Sequence, residues 1–110
     1  MIRFAETDPT YEVGQVVRHR RYGYRGVIVA VDERCMADPA WYTCNRTQPD
    51  QNQPWYHLLV HRCATTTYAA ECNLIPDDTC EPIDHPLLAA FFCGCCHGKY
   101  VRNDRPWKGW

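Results

Sequence analysis

Val27-Ile28-Val29-Ala30-Val31-Asp32 is the stretch that decides the fold class. It is β-branched and apolar at positions of both parities. A strand built from it has no face to give to water and belongs at the centre of a sheet or barrel. Asp32-Glu33 closes it. On its N-terminal side, Gln15-Val16-Val17-Arg18-His19 reads as a short strand entered through the turn Val13-Gly14. The two are joined by Arg20-Arg21-Tyr22-Gly23-Tyr24-Arg25-Gly26, a connection with two glycines that is expected to be exposed at least in part. On its C-terminal side, residues 33–54 are polar and broken by Pro39, Pro49 and Pro54. About twenty residues is long for a loop in a compact domain, so this one is expected to be functional or mobile. One helical turn near Asp38 is expected, with Trp41 and Tyr42 folding part of the loop back onto the body.

Further outward, Trp55-Tyr56-His57-Leu58-Leu59-Val60-His61 is a second strand. Tyr56, Leu58 and Val60 share one face, and His57, Leu59 and His61 the other. Thr66-Thr67-Tyr68-Ala69 and Leu74-Ile75 are shorter strands, and Pro76 ends the last. Short strands bounded by Gly, Pro and Asp, without βαβ spacing, predict a mainly β chain folded as a small antiparallel barrel. After an acidic link, Asp84 is placed to cap a short helix over residues 84–93, with Pro86 in its first turn. Leu87, Leu88, Phe91 and Phe92 would form its apolar stripe and Gly94 its stop. The expected organisation is a flexible lead-in over 1–10, a barrel over 11–76, and a linker, helix and Cys-rich basic tail over 77–110.

The chain has 110 residues, 45% hydrophobic and 23% charged, with a formal charge of −1. This suits one globular domain, and excludes global disorder and any large two-domain enzyme fold. The longest apolar run, Leu87–Cys93, is far short of a membrane span. The first fifteen residues have no apolar core of a secretory signal, so a cytoplasmic location and no membrane partner are expected. Eight cysteines would suit a disulfide framework in a secreted chain, but reduced thiols are expected here.

Charge is unevenly spread. Residues 15–31 hold Arg18, Arg20, Arg21 and Arg25 and no acid, a local charge of +4. Residues 64–92 hold Glu71, Asp77, Asp78, Glu81 and Asp84 and no Lys or Arg, a local −5. A nearly neutral chain can therefore present one basic face to an anionic partner. The arginine segment is the best nucleic-acid candidate. Guanidiniums fork onto phosphate oxygens, and Tyr24, beside Tyr22, offers a ring and a hydroxyl. The candidate contacts are Arg18, Arg20, Arg21, Tyr24 and Arg25. The competing reading is a solvated turn whose arginines pair with the acidic C-terminal third.

Catalysis fits poorly. There is no G-x-S-x-G, P-loop or H-E-x-x-H motif, and the chain contains no Ser. His57, beside Trp55 and Tyr56, reads as a structural histidine on a strand rather than a general base. Cys93, Cys95, Cys96 and His97 form the one cluster with metal-like chemistry. Adjacent Cys95 and Cys96 do not easily face one ion together with Cys93, so they are weak candidates, and no cofactor is expected.

Several of these segments together resemble the hemimethylated-DNA-binding YccV/HspQ-like family. Tyr11-x-Val13-Gly14-Gln15-Val16-Val17-Arg18-His19 and Tyr22-Gly23-Tyr24-Arg25-Gly26-Val27-Ile28 are similar to its opening. Pro54-Trp55-Tyr56-His57 matches its central motif, and Tyr68-x-x-Glu71-x-x-Leu74 its closing one. Residues 82–92 are also similar to the segment that follows the domain in relatives, including the copy fused to F-box proteins. The resemblance implies an SH3-like barrel and a double-stranded DNA partner, with preference for hemimethylated sites. It also implies an alternative role as an adaptor that brings substrates to a Lon-type, ATP-dependent protease in the manner of the heat-shock member, which can form a homo-oligomer. Gly14, His19, Gly26, Trp55, Tyr56, His57, Tyr68 and Glu71 carry the family motifs and are expected to be structural. Glu71 is expected to accept hydrogen bonds from His57 or from backbone N–H groups. Reading a methyl group would need an apolar pocket that the sequence does not locate.

Overall fold

The computed structural model describes residues 9–108. Seven strands lie in two antiparallel sheets among these residues. The strands are β1 (Val16–His19), β2 (Arg25–Asp32), β3 (Trp55–Val60), β4 (Thr66–Ala70), β5 (Leu74–Pro76), β6 (Phe92–Cys96) and β7 (Lys99–Arg102). The larger sheet has the order β4-β3-β2-β1-β5, and β6 pairs with β7 in the smaller. β2 is the central strand, as its two-sided apolar pattern requires.

Each face of the larger sheet is covered. On one face Val17, Ile28, Tyr56, Leu58, Ala69 and Leu74 form a core cluster. On the other, Val27, Val29 and Leu59 pack beneath Ile83 and Phe92, with Leu88, Phe91, Tyr100 and Trp107 around them. The alternation within β3 separates the two cores, with Tyr56 and Leu58 in the first and Leu59 in the second. The register of β2 against β3 shifts between Ile28 and Ala30. This bulge returns Val31 to the side of the first core.

Two glycines make the close approaches possible. Gly14 has φ +95°, and a Cβ there would collide with the Tyr100 carbonyl where β7 crosses the N-terminal turn. Gly26 lies under β3, where a Cβ would fall 3.0 Å from the Leu59 carbonyl oxygen.

The expected closed barrel is not found. No strand pairing joins β4 to β5 among the described residues. β5 is three residues long and ends at Pro76, which has no N–H to extend a ladder. The second face is covered instead by the C-terminal segment. The expected helix over 84–93 contracts to one turn, α2 (Leu88–Phe91), without a side-chain cap. Asp84 does not cap it, because its N–H donates to His61 Nδ1 and its carbonyl accepts from Arg62 N–H. From Phe92 the chain pairs with β7, so the apolar stripe bends from a turn into a strand. Phe92, Phe91 and Leu88 still dock on the sheet, while Leu87 is exposed. The turn expected near Asp38 is α1 (Pro39–Cys44), with the Asp38 carboxylate accepting from Ala40 N–H at 2.8 Å. Of the expected lead-in, residues 1–8 lie outside the described residues.

Candidate nucleic-acid interface

The β1–β2 turn is built around His19, which ends β1 and is buried. Its Nδ1 accepts the backbone N–H groups of Arg21 and Tyr22, both at 3.1 Å. Its carbonyl accepts from Gly23 N–H at 2.9 Å, and Gly23 takes the positive φ of +77° that closes the turn. The ring is stacked between Tyr22, at 4.6 Å, and Tyr24, at 5.1 Å. Burial, together with the charge of Arg21, holds the His19 imidazole below its ordinary pKa. A neutral His19 therefore holds in place the turn that displays Arg20, Arg21 and Tyr22.

The four arginines divide. Arg18 and Arg25 face each other across the β1–β2 ladder and converge on Asp77, just beyond β5. Arg18 Nη2 lies 3.1 Å from Asp77 Oδ1, and Arg25 Nη2 3.0 Å from Oδ2. The Asp77 side chain is 1% exposed and that of Arg25 10%. Burial pushes the Asp77 carboxyl up, but hydrogen bonds from Arg25, Thr79 and Arg18 outweigh it and leave the pKa below the ordinary value. Arg25 also donates to the Glu81 carbonyl. Arg20 and Arg21 are exposed on the turn, with no carboxylate in ion-pair range among the described residues. Arg21 lies 5.9 Å from the Tyr22 ring centroid. The Tyr24 hydroxyl is 3.0 Å from that of Thr67, tying the turn to β4.

Beside this turn opens a cleft of about 650 Å³. It is lined by His19, Tyr22 and Tyr24 from the turn region, by β4, and by Met36, Trp41 and Asn45 from the residue 33–54 loop. The loop is anchored by aromatic contacts. Trp41 meets Trp55 edge-on at 6.2 Å and Tyr68 at 5.7 Å, and Tyr42 meets Trp55 at 6.4 Å. Met36 N–H donates to the Tyr68 hydroxyl at 3.0 Å. Tyr22, Met36 and Trp41 are three of the large apolar side chains that remain exposed, and all three line this cleft.

A family model described as hemimethylated DNA-binding protein YccV like matches residues 9–99. The chain belongs to this family. It is also 31% identical over 99 residues to F-box only protein 21 of Mus musculus, and 30% identical to the proteins of the same name from Pongo abelii and Homo sapiens. Each match covers 87% of this chain but 16% of the relative, so the chain spans about a sixth of those proteins.

Within the YccV-like motifs, Trp55 and Tyr56 are buried in β3. The Tyr56 hydroxyl donates to Glu71 Oε1 at 2.7 Å, and Glu71 also accepts Thr10 N–H at 2.8 Å. His57 pairs with Asp32 rather than Glu71, at 3.1 Å, and the Tyr68 hydroxyl donates to the same Asp32 oxygen at 2.7 Å. Burial, then the hydrogen bond to a carboxylate, raises the pKa of both tyrosines far above the ordinary value. Burial lowers that of His57 against the pull of Asp32.

Cys93, Cys95 and Cys96 lie on β6, with His97 in the turn to β7 at φ 54°. Consecutive strand residues face opposite ways, so Cys95 and Cys96 do not converge. No group of three or more metal-ligating side chains occurs among the described residues. All eight cysteines are free thiols. The sequence reading missed the cleft as a unit. Its signals were the length of the 33–54 loop and the aromatic pair Trp41-Tyr42 within it.

Proposed function

We propose that this chain is a DNA-binding module that meets the phosphate backbone through Arg20 and Arg21 at the lip of the aromatic cleft. The observation that carries this reading is the division of the arginines, with two consumed by Asp77 and two exposed on a turn stiffened by His19. Exposed guanidiniums on a fixed backbone gain phosphate contacts without first breaking an ion pair. Membership of the YccV-like family supports a DNA partner. A preference for hemimethylated duplex is the finer reading, taken from the family description and from the apolar cleft beside the lip. A methyl group in the major groove needs an apolar surface within reach of the phosphate contacts. Met36 at the cleft edge is 55% exposed and supplies one.

The test is a fluorescence titration with unmethylated, hemimethylated and fully methylated duplexes at two salt concentrations. Binding that weakens with salt and is tightest for the hemimethylated duplex is expected. Equal affinity for all three leaves the coarser reading standing and removes the methyl preference, while no binding at low salt removes both. The same exposed cleft favours a second reading, an adaptor that recruits substrates to a Lon-type protease. Trp107 offers that role no free contact surface, because it is partly buried against Phe91 at 5.2 Å and near His57 at 5.8 Å. Trp110 lies outside the described residues. Recovery of a protease in a pull-down that survives nuclease treatment would favour the adaptor.

A further inference from the structure

Phosphate contacts alone do not account for the cleft behind the lip. Duplex DNA presents phosphates and base edges, whereas stacking needs the flat face of a base. The cleft offers ring surface. Tyr22 and Trp41 both line it and are 47% and 38% exposed, whereas Tyr24 and Tyr68 beside them are half-buried and Trp55 is buried. Tyr22 is the open end of a stack that continues through His19 to Tyr24. The Trp41 ring is held edge-on by Trp55 and Tyr68, which fixes its orientation without help from a ligand. Amide side chains from Asn45 and Asn73 also line the space and supply donors and acceptors for a base edge. The volume of about 650 Å³ lies in the range of clefts that take small ligands. Arg21 lies 5.9 Å from the Tyr22 ring centroid, and Arg20 precedes it on the same exposed turn. Their positive charge favours an aromatic group that carries a phosphate and disfavours an ammonium ligand.

We propose that the cleft between Tyr22 and Trp41 receives an unpaired or extruded nucleotide, its base stacked on these rings and its phosphate on Arg20 and Arg21. This rests on the DNA-binding reading above and deepens it. The bound form is DNA with one base out of the helix rather than uninterrupted duplex. A base already unpaired does not incur the cost of leaving the stack, so bulged or gapped DNA is the favoured ligand.

The experiment compares a fully paired duplex with the same duplex carrying one unpaired 2-aminopurine, by anisotropy and by 2-aminopurine emission. Expected is binding of the bulged duplex about 5-fold tighter or more, the weight of one stacking platform, with the emission quenched. Tyr22→Leu and Trp41→Leu keep apolar bulk while removing the rings. Each should reduce that preference and the quenching by more than it reduces affinity for the paired duplex, which is the reference within each variant. Two variants on separate elements guard against one that disturbs folding. Equal affinity of the wild-type protein for both duplexes overturns the proposal, as does a preference that survives both substitutions. Those results leave duplex binding intact, which separates them from failure of the DNA-binding reading, where neither duplex binds and both proposals fall.

Discussion

Arg18 and Arg25, on the strands, and Arg20 and Arg21, on the turn between them, share one side-chain chemistry within eight residues of chain and have different surroundings. The strand pair converges on a buried carboxylate and fastens the β1–β2 ladder to the segment after β5. The turn pair is exposed and has no acid partner among the described residues. Local charge density therefore overstates the surface available to an anion. What decides availability is where the chain places Asp77. The β1–β5 pairing brings Ile75 opposite Arg18, and Asp77 follows two residues later.

The largest effect that tests this contrast is on stability. Arg25→Ala leaves Asp77 buried with one of its two cations gone, and the expected loss is about 3 kcal/mol. The Arg18 side chain is 36% exposed, so Arg18→Ala should cost no more than about 1 kcal/mol. Arg20→Ala and Arg21→Ala should stay within about 0.5 kcal/mol of the wild type. Urea unfolding of the four variants measures the order. If Arg25→Ala unfolds no more readily than Arg20→Ala, the structural role of the strand pair is wrong.

A smaller effect concerns the turn itself. His19 Nδ1 is an acceptor for two backbone N–H groups, and the His19 pKa is depressed in the folded state. A depressed histidine contributes stability that is full above the ordinary imidazole value of about 6.5 and is lost as pH falls below it through the folded pKa. Protonation also replaces the acceptor lone pair with an N–H, so the Arg21 and Tyr22 amides lose their partner. Protection factors, which remove the intrinsic slowing of exchange in acid, should fall at these two amides on acidification ahead of those in β2 and β3. A uniform fall in protection across the chain would mean that His19 does not hold the turn.

Much of the sheet was legible from local pattern. β2 announced its central position because both parities of Val27–Val31 are apolar, and β3 displayed its two faces in the alternation of Tyr56, Leu58 and Leu59. The C-terminal segment was not legible. Leu88, Phe91 and Phe92 satisfy a helical stripe, yet the same residues satisfy one helical turn followed by a strand once Lys99–Arg102 is available as a partner. The acidic region was visible as a block of charge, but a block does not reveal that Asp77 alone reaches Arg18 and Arg25. That depends on a ladder between residues some sixty positions apart. The cleft has the same origin, since Tyr22, Trp41 and Tyr68 come from three separate elements.

The most direct test is the salt dependence of duplex binding by the Arg20→Ala/Arg21→Ala double variant against wild type, with Arg18→Ala as the strand-pair control. Each lost phosphate contact should flatten the slope of log K against log salt by about 0.9, so the double variant should lose about 1.8 and the control almost nothing. A double variant with the wild-type slope, or a control that flattens as much, would contradict the division of the arginines on which the account rests.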